Sequence, residues 1–424
     1  MRVPNLGRAL SVLALTASLA ACADEPDGPE PAEQTDAPDE ASGDDLLQSA
    51  GALEFGDDNV LFVGDREAGL VHAFDFPEGT FDDQAGYILG RAITFEGRDL
   101  VQDIDVELAS ILGIEPSEVL INDLTLHEPT KQLVLSVHRG TGPDAEPLLF
   151  KVDRGSLERL DLTVADHASI DVGTVSSDAE LEFGQRIRSF AITDIDYFEG
   201  EIFVAGVSGD DFSSTIRRAA YPFDGTVSFT FTEIWHAVHA QFETRSPIMA
   251  QDIQVIDGEP YLVGVYACTP LVRFALSDLV DGAQVRGDMI AELGFGNTPV
   301  DIIAYDEPFL GQEAFLVTHT HRSATRFLVG DVGSAVPLPY EPPNLFDQAG
   351  VPLFDIPLIG PKQLVTIDET WAAAIEVDPL HPGTLQLRTL ALPFFFDRSD
   401  HVVEMNFPGA PDPFGYRDAP PKGY

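Results

Sequence analysis

The sequence predicts an all-β fold, a β-propeller of six or seven blades, from two observations. From residue 51 onward, short apolar runs alternate with turns rich in Gly, Asp, Asn and Pro, which is the texture of strands and hairpins rather than of helices. Six stretches then repeat one unit, beginning at Leu53, Ile121, Ile192, Gln251, Val300 and Lys362. Starts roughly 50 to 70 residues apart suit four-stranded blades with variable loops. Each blade exposes apolar faces that only its neighbours can cover, so the ring must close. A two-sheet sandwich is the competing all-β arrangement. A repeat longer than one hairpin that recurs six times favours the propeller.

Each unit offers a short strand, a turn and a second apolar strand, usually followed by a third. The first passes from Leu53-Glu-Phe through Gly56-Asp-Asp-Asn into Val60-Leu-Phe-Val, then Leu70-Val-His-Ala-Phe. Residues 77–120 are looser, with room for a seventh blade and one short helix from Asp105 to Leu112. The second unit reads Ile121-Asn-Asp-Leu-Thr-Leu, Gln132-Leu-Val-Leu-Ser-Val and Leu148-Leu-Phe-Lys-Val-Asp. The third and fourth turn at Glu199-Gly200 and Asp257-Gly258, the dipeptide type that closes a tight hairpin. The fifth pairs Val300-Asp-Ile-Ile-Ala-Tyr with Ala314-Phe-Leu-Val-Thr, and the sixth pairs Lys362-Gln-Leu-Val-Thr-Ile with Trp371-Ala-Ala-Ala-Ile. The propeller is therefore expected over 51–393. The proline-rich tail, 394–424, packs on its surface or moves freely.

The first residues carry an address. Arg2 and Arg8 precede an apolar run, Ala9 to Ala21, that ends Leu19-Ala-Ala-Cys22. The run is too short for a membrane span, which needs roughly 20 apolar residues. Residues 1–22 resemble a bacterial lipoprotein signal peptide. That resemblance implies cleavage before Cys22 and lipidation of its thiol and amine with diacylglycerol and palmitate-type acyl chains. Each buried methylene adds about 0.8 kcal/mol, so several chains anchor far more firmly than one. Ala23, rather than Asp, follows the cysteine, which in the enteric-type sorting rule implies the outer membrane where the cell has one. The expected location is the cell envelope, facing the periplasm or the exterior. In residues 23–50, ten side chains are acidic and none is aromatic, so this stretch is expected to be a disordered acidic linker.

Charge excludes some partners. The chain carries 71 Asp and Glu against 24 Lys and Arg, a net charge of −47. Such a surface repels nucleic acid and anionic headgroups, so nucleic acid is not an expected partner and the membrane is reached through the lipid. With 2 cysteines in the chain, lipidation of Cys22 leaves Cys268 without a disulfide partner. It reads as a small buried apolar side chain.

The blade texture, Gly56-Asp-Asp-Asn-Val-Leu-Phe-Val above all, resembles bacterial secreted β-propellers of the NHL-like, lactonase-like and quinoprotein-like group. The stretches Ile121-Asn-Asp-Leu with His138-Arg-Gly-Thr-Gly-Pro-Asp-Ala resemble functionally unassigned members of that group. So do His236-Ala-Val-His with Tyr266-Ala-Cys-Thr-Pro. The resemblance spans roughly 51–393 and implies the fold rather than one reaction.

Four units place an acid at the start of the first strand, followed by Leu or Ile: Asp123, Asp194, Asp252 and Asp301. Innermost strands line a propeller's channel, so these carboxylates should converge on one ring near its mouth. There they would hold a hard cation such as Ca2+, with Asn122 adding a neutral oxygen. The bland alternative is that each Asp accepts backbone N–H bonds. Lactonase-like propellers carry a catalytic metal at this ring, which implies carbonyl polarisation or water activation. No His or Lys base can be assigned to the ring from sequence. Arg245, a cation on an acidic chain, would orient an anionic ligand or pair with Glu243 or a ring carboxylate.

The pairs His236/His239 and His319/His321, with Cys268, have the ligand types for zinc or copper, or are unrelated loop residues. The spacing of His236 and His239 fits a helical turn or loop. Gly140-Thr-Gly lacks the Lys-Ser/Thr of a phosphate loop, no Gly-x-Ser-x-Gly elbow is present, and only Trp235 and Trp371 are available for a quinone-stacking floor. The expected function is a binding or scaffold module for an envelope protein, a glycan or a cation, rather than an enzyme. The alternatives are a metal-dependent hydrolase of lactonase type and a quinoprotein-like dehydrogenase relative.

Overall fold

The computed structural model describes residues 46–392 apart from 90–96, 176–185, 210, 212, 268, 295–297, 308–310, 321, 340–346, 357, 359–360 and 379–382. The signal, most of the linker, the C-terminal tail, Cys22, Cys268 and His321 lie outside the described residues.

Six sheets, antiparallel apart from one short parallel pairing of Ser228–His236 with Gln284–Arg286, form six blades, the lower of the two numbers expected. Numbered by their innermost strands, these begin at Leu53–Phe55, Val119–His127, Asp194–Phe198, Ile248–Ile256, Pro299–Glu307 and Pro361–Thr366. Every repeat start read from the sequence lies in or within two residues of one of these strands. The second strand of each blade is the most apolar because both of its faces are covered. In Val60–Asp65, for example, all six residues are buried. The sequence there runs apolar continuously instead of alternating, as strands buried on both faces do. Outer strands return to solvent, and in Asp166–Asp171 only Ile170 is buried. Asp257 and Gly258, with φ of 53° and 87°, close the two-residue hairpin that their identities anticipate.

Chain order and ring order differ. The inner strands neighbour one another in the order blade 6, 2, 1, 3, 4, 5 and back to 6. Blade 1 takes three strands from the chain's beginning, ending at Leu70–Asp75, and its outermost strand, Asp166–Asp171, from beyond blade 2. Blade 6 is completed by Asp99–Val101, which pairs with Leu385–Ala391. That short strand is what the loose region 77–120 supplies in place of a seventh blade, together with the expected helix, Ile104–Leu112. Two blades are thus each built from distant parts of the chain, which ties the ring shut at both ends of the domain.

The core is six cores. Each apolar cluster lies between one pair of neighbouring blades, such as Leu135, Phe150, Trp371 and Ile375 between blades 2 and 6, or Val63, Phe74, Val134 and Leu149 between blades 1 and 2. Ile104 and Leu108 of the helix seal the junction of blades 2 and 6 from outside. Residues 46–50, read as the end of the linker, already belong to the domain. Leu47 and Ala50 join the cluster between blades 1 and 2. The Gln48 N–H and the Ser49 hydroxyl donate to Asp65 at 2.6 and 2.8 Å, and the Ala50 N–H donates to His138 Nε2 at 3.0 Å. No helix among the described residues is long and apolar enough to cross a membrane.

Candidate functional site in the central channel

The acids picked out by their repeat position all lie in the innermost strands, Asp194 at its strand's first residue and Asp123, Asp252 and Asp301 further in, and each reaches the backbone of a neighbouring blade. One oxygen of Asp123 accepts the N–H of its own neighbour Leu124 at 2.8 Å, and the other accepts the Leu53 N–H of blade 1 at 2.7 Å. Asp194 repeats this with Ile195 at 2.9 Å and Gln251 of blade 4 at 2.7 Å. Asp301 does so with Ile302 at 2.8 Å and Leu364 of blade 6 at 2.6 Å. Asp252, further along its strand, accepts the Ala304 N–H of blade 5 at 3.0 Å and the Gln254 amide at 2.7 Å. The fifth member is Glu54 of blade 1, whose carboxyl faces the Tyr197 backbone of blade 3, an interaction that favours its charged form. The ring is completed by Gln363 of blade 6, whose amide donates to the Asn122 carbonyl of blade 2.

Every inner strand therefore extends a side chain to the backbone of the next blade, always in the same direction round the ring: 2 to 1, 1 to 3, 3 to 4, 4 to 5, 5 to 6 and 6 to 2. The inner strands belong to separate sheets, and the acids satisfy backbone N–H groups, and Gln363 a backbone carbonyl, that would otherwise be orphaned. The bland alternative for the acids, backbone capping, holds for all of them. Convergence holds as well. The Asp194 carboxylate feels that of Asp123, and Asp301 feels both.

One channel acid is not a clasp. Asp196 lies two residues beyond Asp194, on the same face of the strand, among Asp194, Asp252, Glu54 and Asp301. Its Oδ2 is buried without a hydrogen-bond partner. Sequence reasoning missed Asp196 and Glu54. The period of two, Asp194-Ile-Asp196, was available to point at the first. Glu54 was hidden because it is a different residue type in one of the two blades, 1 and 6, whose repeat lacks the Asp.

The electrostatics follow from this crowding. Each carboxyl is partly reachable by water within the channel yet enclosed by protein. Burial pushes Asp123 up to about 7 and Asp252 up to about 6, against the bonds they accept. Burial and then the neighbouring carboxylates push Glu54, Asp194, Asp196 and Asp301 well above the carboxylate range. Asn122 uses its amide to donate to the Ala50 carbonyl at 2.8 Å, tying blade 2 to the segment before blade 1.

The other candidates fall elsewhere. Arg245 is exposed on the loop after Gln241–Glu243, while Glu243 is engaged by His236, His239 and Gln241. His319 is buried in blade 5, bonded to Thr325 at 3.0 Å. Burial lowers it to about 4. His236 and His239 do meet, across a 3-10 turn, Ala237–His239.

Fold and site together define the class: a six-bladed β-propeller with an acid-lined channel whose acids double as inter-blade clasps. No protein-family model matches the chain, and no curated protein sequence matches it.

Proposed function

We propose that the chain is an extracytoplasmic binding propeller, tethered to the membrane through acyl groups on Cys22, whose channel takes up a hard divalent cation such as Ca2+. The observation that supports this reading is Asp196, an acid with a buried oxygen that no described residue bonds, in the midst of the carboxyls of Asp194, Asp252, Glu54 and Asp301. A clasp oxygen bonded to one N–H keeps a second lone pair, so Asp196, Glu54 and Asp252 offer the all-oxygen environment that calcium takes. The cation would relieve the repulsion that keeps these acids protonated. Envelope localisation and an envelope protein or glycan as the wider partner follow from the signal resemblance and the acidic surface.

Calcium calorimetry on the mature chain tests the reading. One ion should bind, more tightly at pH 8 than at pH 5 because it competes with protons. Asp196→Asn should weaken binding by at least about tenfold while leaving the clasps intact. Heat that is absent, or unchanged in the variant, removes the cation.

A metal-dependent hydrolase of lactonase type is the second reading. It is favoured by Asp123 and Asp252, which burial pushes up to about 7 and about 6, toward the range where a general base operates. Lactone turnover that a chelator abolishes would select it over the binding module.

A further inference from the structure

We infer that the hairpin closing the outer edge of blade 3 is a transition-metal site, with His236, His239 and Glu243 as ligands. It is separate from the channel and independent of the function proposed above.

The strand Ser228–His236 ends at His236, the chain makes one 3-10 turn, and Gln241–Glu243 pairs back with Trp235↔Phe242 and Ile234↔Glu243 in register. Side chains alternate between the faces of a hairpin. Trp235 and Phe242 therefore share one face, in edge contact at 5.2 Å, with the Arg286 guanidinium 4.0 Å over Phe242. His236, Gln241 and Glu243 share the other. The turn then folds His239 back, bringing its ring centroid to 4.1 Å from that of His236. One ligand atom from each of His236, His239 and Glu243 lies within 4.8 Å of the others.

Both imidazoles present Nδ1 to the same carboxylate, His236 at 2.8 Å to Oε2 and His239 at 2.6 Å to Oε1. These are hydrogen-bond separations. Zinc bonds of about 2.1 Å in tetrahedral geometry set donors roughly 3.3 Å apart, so the cluster must open by about half an ångström. His239 has the freedom to do so, with 42% of its side chain exposed. A carboxylate that accepts from both rings requires the proton on each Nδ1. Metal binding at Nδ1 moves that proton to Nε2 or releases it.

The structure supplies the group that would receive the displaced proton's hydrogen bond on His236. Glu292, at the end of the outer strand of blade 4, is fully buried. Its Oε1 accepts from the Thr269 hydroxyl and the Gly294 N–H. Among the described residues its Oε2 accepts no hydrogen bond, and it stands 4.0 Å from His236 Nε2. A buried carboxylate left with an idle oxygen opposite a histidine's far nitrogen is the arrangement that orients a metal-bound imidazole. Glu292 is thus a positioning residue, and Gln241, which donates to Glu243 at 3.0 Å, is another. Two nitrogens and one carboxylate oxygen favour a borderline ion such as Zn2+ over calcium.

The test is zinc calorimetry on the chelator-treated mature chain in excess calcium, which saturates the channel with a hard ion and leaves this site to zinc. The wild type should bind one equivalent. His239→Ala and Glu243→Gln should each lower affinity by at least about 100-fold, and Glu292→Gln by about 10- to 100-fold. Cobalt should give the visible absorption of a four-coordinate site in the wild type and lose it in Glu243→Gln. Circular dichroism checks that each variant is folded, and His239→Gln, at an exposed position, serves where the others are not. A wild type that takes up no zinc in calcium, or ligand variants that bind as the wild type does, overturns the site. Losses at His239 and Glu243 with none at Glu292 overturn the positioning role.

Discussion

The channel and the blade 3 hairpin each hold buried acids, and the two environments drive them in opposite directions. In the channel, acid faces acid, and the carboxyls are pushed up, Asp123 to about 7. In the hairpin, burial also pushes Glu243 up, but the hydrogen bonds from His236, Gln241 and His239 outweigh it and pull the group down to about 2. Burial alone does not decide the charge of an acid. The partner within hydrogen-bond reach does. The channel is accordingly a store of protons that a cation would displace, whereas the hairpin is a preformed anion already matched to hydrogen-bond donors.

The sharpest way to break this comparison is to remove clasps outright. Asp194→Ala with Asp301→Ala orphans the N–H groups of Ile195, Gln251, Ile302 and Leu364. At roughly 1 kcal/mol for each donor that channel water only partly satisfies, the double variant should lose about 4 kcal/mol in denaturant unfolding. If the acids were only cation ligands, the same variant without cation would gain stability through relieved repulsion, and that outcome would refute the clasp.

The next largest effect is in the pH profile. A carboxyl whose folded pKa is raised binds protons more tightly when folded. Its stabilising contribution is complete below the unfolded pKa of about 4 and is lost as pH rises through the folded value. For Asp252 and Asp123 that loss runs through about 6 and about 7. Thermal melts in chelator should therefore fall from pH 5 to pH 8, and saturating calcium should flatten the fall. A melting temperature that rises across that window would contradict the channel electrostatics.

Glu243 should show the mirror image. Its lowered pKa contributes stability above about 4.5 that disappears as pH falls through about 2. Because the site is partly solvated, Glu243→Gln should cost only on the order of 1 kcal/mol at pH 7, and clearly less as the pH is brought down to 2. Equal cost at both pH values would mean that packing, not charge, holds the hairpin.

Much of this was legible before any coordinates, and the division has physical causes. Blade starts were readable because strands buried on both faces need continuous apolar runs, as in Val60-Leu-Phe-Val. The meeting of His236 and His239 was readable because a spacing of three fits one turn. The ring order was not, because nothing local to Asp166–Asp171 or Asp99–Val101 says which distant blade each will edge. Glu54 as the fifth clasp was hidden for a related reason. A bulged residue precedes Asp123 and Asp301 in their ladders, so residues with equivalent roles do not align by simple counting. Glu292 was invisible altogether, since its tie to His236 is purely tertiary.

The smallest effect separates a tie from a ligand. Asn122 bonds through its amide to the Ala50 carbonyl, and its own backbone carbonyl accepts from Gln363. Only the first bond depends on the side chain. Asn122→Ala should therefore cost about 1 kcal/mol, the net value of one hydrogen bond, measured by denaturant unfolding. If Asn122 is a tie, calcium affinity should stay within a factor of two or three of the wild type, because Asp196 and its neighbours still face the channel. If it is a ligand, as its place beside Asp123 suggests from sequence, affinity should fall much further while stability barely moves. The two readouts shift in opposite proportion under the two roles, so a single variant decides between them.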